Sequence, residues 1–197
     1  MSDYWVLTNK EDALGAVIDS IPQSGIANWK FRKGIPLAQS FESDVKISFS
    51  QNYPDAAKLY DFISNIMDLL IVSDKVKFIF EEESVNNIEY LPVSVHDHQK
   101  NLLSDNYWIV NLLGGQDIID MKQSEVVMEV LEENQIDRIK KLIINPEKVE
   151  KNAYLFRATT KMDQYFVHDK IKCALEKNSI TGYNIFPSNN WNGFNFK

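Results

Sequence analysis

Ile71-Val72-Ser73-Asp74-Lys75-Val76-Lys77 and Phe166-Val167-His168-Asp169-Lys170-Ile171-Lys172 stand 95 positions apart and read as one pattern written twice. The match runs without a gap from 71–92 onto 166–187, and Val72, Asp74, Lys75, Lys77, Glu81, Ser84 and Pro92 recur unchanged. Each copy reads as a short apolar strand, a polar cap, an amphipathic helix, a turn and a second strand ending in proline. Two such units, at about 69–92 and 164–187, predict an α+β fold with mixed sheets.

Spacing carries the helix reading. Val76, Ile79 and Phe80 recur at i, i+3 and i+4, and Ile171, Ala174 and Leu175 repeat that stripe. Ser73 suits an N-cap, and Asp74 places negative charge where the helix dipole favours it. His168 holds the cap position of the second copy as a weaker choice, with Asp169 as the alternative cap. Asn87 and Gly182 hold matching turn positions and tolerate positive φ. The strands at 88–91 and 183–186 are expected to stop at their prolines, which cannot donate to a ladder.

Working outward, Tyr4–Leu7 predicts a first strand, and 12–30 reads as irregular because Gly15, Pro22 and Gly25 interrupt it. Val45, Ile47 and Phe49 alternate along a half-buried strand. The stretch from Pro54 to Ile66 fits either a helix or extended chain. Asn106–Leu113 and Tyr154–Arg157 read as strands. Val126–Leu131 and Ile139–Ile144 are expected to pair as a hairpin around Glu132–Gln135, with a helix over 124–142 as the competing reading. Trp191, Phe194 and Phe196 are expected to dock on the body. The whole reads as one domain with two related halves, about 1–105 and 106–197.

Composition narrows the classes of function. A net charge of −7, from 28 acidic and 21 basic side chains, disfavours nucleic acid, which needs a basic footprint. It is compatible with a basic protein partner, and equally with plain solubility. No apolar run approaches the roughly 20 residues of a membrane span, and the first five residues lack the character of a signal peptide. The single Cys173 excludes an intramolecular disulfide and fits a reducing compartment. The expectation is a soluble cytoplasmic protein.

Catalytic patterns do not appear. The chain has no Gly-rich phosphate loop, nucleophile elbow or cysteine pair for zinc. His96-Asp97-His98 alone resembles a metal site, since i and i+2 share a strand face, but a solvated turn is the plainer reading. Cys173 is expected to pack rather than react. Glu81-Glu82-Glu83 sits near a helix C-terminus, against the dipole preference, so it reads as a solvated helix end or a surface kept for a partner. Phe78 lies off the apolar stripe beside these acids and would either contact a second layer or lie exposed; if exposed, it would suit an interface anchor ringed by charge. Phe78, Glu81, Glu82 and Glu83 are therefore the candidate partner-binding residues. No catalytic, cofactor or metal residue is assigned.

Several short motifs together resemble a known family. Leu70–Asp74 with Ile88–Val93, Tyr107–Asn111 with Asp120, Leu155-Phe156-Arg157, and the closing Ile180-Thr181-Gly182-Tyr183 with Phe186-Pro187 are similar to a bacterial immunity-protein family of polymorphic toxin systems. It is the eleventh of the numbered immunity series, formerly a domain of unknown function. Gly34-Ile35-Pro36-Leu37 fits as well, and the likeness covers roughly residues 30 to 190. His168 departs from the serine-like cap expected there. The resemblance implies a non-enzymatic protein that binds and neutralises a cognate toxin, and it supplies no catalytic residues to carry over. An acidic surface would suit a basic toxin face. The alternative expectation is an intracellular small-ligand or metal-binding enzyme, with a pocket between the two repeats and perhaps His96 and His98.

Overall fold

A computed structural model of the chain describes residues 4–194. The first half holds β1 (Tyr4–Asn9), β2 (Val17–Ile18), β3 (Lys46–Ser48), β4 (Ser64–Asn65), β5 (Leu70–Ser73), α1 (Asp74–Glu82) and β6 (Ile88–His96). Then follow β7 (Leu102–Leu112), β8 (Glu125–Met128), β9 (Ile136–Lys141), β10 (Leu155–Ala158), β11 (Lys161–His168), α2 (Asp169–Lys177) and β12 (Tyr183–Pro187). Two four-stranded sheets carry the fold, in the orders β3-β6-β7-β5 and β10-β11-β1-β12. β3 joins β6 in parallel and the other ladders of these sheets are antiparallel, so the fold is α+β with mixed sheets.

The two units are built alike. α1 and α2 begin and end 95 positions apart, and so do the starts of β6 and β12. In the first unit β7 lies between β5 and β6; in the second, β1 lies between β11 and β12. Each is a split strand–helix–strand arrangement whose middle strand comes from elsewhere in the chain. Trp108 on β7 stands opposite Val72 and Pro92, and Trp5 on β1 stands opposite Val167 and Pro187. The N-terminal strand thus completes the C-terminal unit, and the 105/106 boundary expected between the halves falls inside β7.

Alternation along the strands divides each sheet between two cores. Leu70 and Val72 face a core shared with α1, α2 and the second sheet, where Leu7, Leu155 and Val167 meet them. Ile71, between them, faces the opposite way, against Leu91, Val93 and Ile109 and the N-terminal segments. On the second sheet Val6, Phe156 and Phe166 turn to a third core under Ile136 and Ile139 of the β8–β9 hairpin. The helices are therefore sandwiched against both units. Burying the apolar face of each at about 25 cal/mol per Å² is what holds helices only two and a half turns long.

Local details differ from the sequence reading where distant residues intervene. Ser73 occupies the N-cap position of α1 but makes no capping bond; its hydroxyl donates to Asp61 Oδ1 at 2.9 Å. His168 does cap α2, its Nδ1 accepting from the Lys170 amide at 3.1 Å, so Asp169 is not the cap. Asp61 also accepts from the Thr181 amide and hydroxyl, at 3.0 and 2.7 Å, and so ties the two units together. The positive φ after each helix belongs to Ser84 (61°) and Ser179 (51°), while Asn87 instead donates its amide to Leu155 O. Gly182 has φ +87° as expected, and a Cβ there would lie 2.2 Å from Phe62 O.

Pro92 does not end its strand: β6 continues to His96, and β3 pairs with it only from Ser94 onward, so the missing N–H leaves no ladder bond unmade. The 54–66 stretch is not helical; Phe62 and Ile63 are buried in extended chain and turns. The hairpin reading holds, but the strand ends at Met128, leaving Val130 and Leu131 in the loop. Trp191 docks in the third core, Phe194 is exposed, and Phe196 lies outside the described residues. Among the described residues no helix is long and apolar enough to cross a membrane.

Candidate functional site

Burial of Val76, Ile79 and Phe80 turns the opposite face of α1 outward. Phe78 is consequently 58% exposed. The acids beside it are not equivalent. Glu81 pairs with Lys77 one turn back, at 2.6 Å, and Glu83 pairs across to Lys170 of α2, at 2.7 Å. These contacts offset the unfavourable position of acids at the helix C-terminus. Glu82 is exposed and makes no ion pair among the described residues. Of the four sequence-predicted residues, Phe78, Glu81 and Glu82 are exposed and Glu83 is half-buried; Glu81 is engaged within α1 and Glu83 across to α2.

The matching positions on α2 carry Cys173 and Lys177, so that surface lacks the large apolar group and reverses the charge. Cys173 does not pack, contrary to expectation: it is exposed. Desolvation, with the neighbouring Asp169 carboxylate, pushes its thiol pKa up, which works against thiolate chemistry.

His96 ends β6 and His98 lies in the β6–β7 turn. His96 Nε2 is 3.1 Å from Ser94 Oγ and its Nδ1 is 3.1 Å from Lys100 O, whereas His98 Nε2 is 3.1 Å from Tyr53 O. Asp97 organises the turn by accepting from the amides of Gln99 and Asn101, each at 2.8 Å. Bonds from the Asn101 side chain and these amides hold its carboxyl below the usual range. Among the described residues no group of three or more His, Cys, Asp or Glu side chains is placed to hold a metal ion.

A cavity of about 300 Å³ does lie between the units, bordered by Thr8 and Asn9 of β1, Asn65, Asp68, Asp163 and Gln164. Neither His96 nor His98 lines it. Burial raises the Asp68 pKa, against the lowering effect of Arg32, whose Nη2 lies 2.8 Å away. Nearby, Arg157 is buried and forms no ion pair with Asp74 or Asp169; it donates instead to the carbonyls of Phe31 (2.8 Å), Met162 (3.3 Å) and Leu112. It is a clamp between the sheets rather than a reactive group.

Sequence reasoning missed one surface. Val130 and Leu131, read as the end of a strand, are 93% and 90% exposed at the tip of the β8–β9 hairpin. Their signal was an apolar pair set among Glu129, Glu132 and Glu133, which no buried strand would accommodate.

These features describe an acidic α+β protein that offers apolar surface groups framed by carboxylates, the chemistry of a protein-binding surface. Comparison with family models supplies the rest: the immunity protein family Imm11 matches residues 6–190, and the chain belongs to that family. The match reaches β1, beyond the motifs at 30–190 that carried the resemblance in the sequence. No curated protein matches the chain.

Proposed function

We infer that this protein neutralises a cognate bacterial toxin by binding it directly, with no catalytic step of its own. The observation that carries this reading is the family match over residues 6–190. The net charge of −7 suits a basic toxin face and would speed encounter by electrostatic steering. On α1, Phe78 supplies an apolar contact and Glu82 an unengaged carboxylate, with Glu81 and Glu83 at the margin. The site of action is the cytoplasm of the producing bacterium.

Co-expression with the adjacent reading frame tests this. A stable complex that restores growth, with association slowing as salt rises, is the expected result. A harmless neighbour that forms no complex removes the reading.

The cavity between the units supports a second reading, a small-ligand protein. A thermal-shift screen of small polar ligands, run with and without Asp163→Asn, would separate it from the first.

A further inference from the structure

We propose that Val130 and Leu131, at the tip of the β8–β9 hairpin, are an apolar anchor that enters a basic-rimmed socket on the toxin. This rests on the toxin-binding reading above. The hairpin is seated along β9: Ile136 and Ile139 are buried in the third core, the Ile136 amide donates to Thr160 O at 2.8 Å, and Gln135 Nε2 donates to Thr159 O at 3.0 Å. Its tip is the opposite. Val130 and Leu131 expose 93% and 90% of their surface, more than any other large hydrophobic residue among those described. Two adjacent aliphatic side chains held in water at the end of a seated hairpin have the form of an interface anchor awaiting a pocket.

Charge selects the occupant. Residues 125–135 contain four glutamates and no lysine or arginine. Of these four, Glu132 alone is ion-paired among the described residues, with Lys33 at 3.5 Å. That pair sets the loop beside the segment carrying Trp29 and Ile35, which are 58% and 41% exposed. A second copy of this chain carries a net −7 and would be repelled by an acidic tip. A basic partner would be drawn to it, the glutamates framing the anchor as a charged rim. The surface is separate from the α1 face: the hairpin covers the side of the second sheet that faces away from the helices.

The test uses the full chain and the product of the adjacent reading frame. Wild type, Val130→Asp/Leu131→Asp and Phe78→Ala are compared for affinity, growth rescue and thermal stability. The double variant is expected to melt with the wild type, because both side chains already face water. It should bind about 100-fold more weakly or worse and lose rescue. Unchanged affinity of the double variant, beside a binding wild type, overturns the proposal and leaves the toxin reading standing. A wild type that fails to bind or rescue defeats both. A wild-type dimer in light scattering that the double variant abolishes would assign the tip to a second copy and overturn the toxin anchor.

Discussion

Trp5 and Trp108 hold equivalent places in the two sheets, and each donates its indole N–H to the first-turn aspartate of a helix. Trp5 reaches Asp169 at 3.1 Å and Trp108 reaches Asp74 at 2.5 Å. Lys172 lies over the Trp5 ring at 4.8 Å and Lys77 over the Trp108 ring at 5.2 Å, and these lysines pair with Glu176 and Glu81. Three of the residues that recur between the units, the aspartate, the lysine and the glutamate, thus form one structural device. Its fourth member, the tryptophan, lies outside both repeated stretches.

That device should behave as a coupled unit. Asp74→Ala and Trp108→Phe are each expected to cost about 1 kcal/mol in urea unfolding, and the double variant little more than either alone. Full additivity would show that the contact carries no energy.

Glycine substitutions should separate strain from crowding. Gly182→Ala puts a Cβ 2.2 Å from Phe62 O at a φ of +87°, and a loss of about 3 kcal/mol or more is expected. Gly114 also has positive φ, at +71°, but open space around it, so Gly114→Ala should cost only about 1 kcal/mol. Thermal melts of the two variants check the order.

Arg157→Met should destabilise the protein by about 3 kcal/mol, because three buried or part-buried carbonyls lose their donor at once. Arg157→Lys should recover only part of the loss, since one ammonium cannot reproduce the guanidinium fork. Denaturant midpoints decide the matter.

Alkaline pH should unfold the chain through Tyr165. Burial pushes its phenol from an ordinary 10 up to about 12, against the lowering effect of Arg157. A folded pKa above the unfolded one means that this stability is complete below pH 10 and is lost as pH rises through 12. Two units correspond to about 3 kcal/mol. Urea midpoints measured from pH 8 to 12 should fall across that window, and less steeply in Tyr165→Phe. Burial raises Tyr90 and Tyr107 as well, so some slope should persist in the variant.

Both helices, the longer strands and their offset of 95 were legible because periodicity and turn residues act locally, whereas the two-residue strands β2 and β4 were not. What was hidden depends on distant partners. Asp61 draws the Ser73 hydroxyl away from its own helix, so the better-looking cap does not cap. No local pattern announces that β1 completes the second unit, or that an extended 54–66 stretch is fixed by burial of Phe62 and Ile63. On the candidate surface, the spacing of the α1 stripe took Phe78 off the buried face but left a second layer or solvent open, and the fold shows it exposed. The spacing could not show that Lys77 and Lys170 engage Glu81 and Glu83. Val130 and Leu131 read as strand because apolar pairs usually pack, and only the tertiary fold shows them in water.

The central claim is neutralisation by stoichiometric binding, and a titration of toxin activity against added protein tests it most directly. Activity should fall linearly and reach zero at a fixed molar ratio, with the toxin recovered from the complex at its unaltered mass. Loss of activity at a small fraction of that ratio, or a change in the toxin's mass, would mean catalysis and contradict the account.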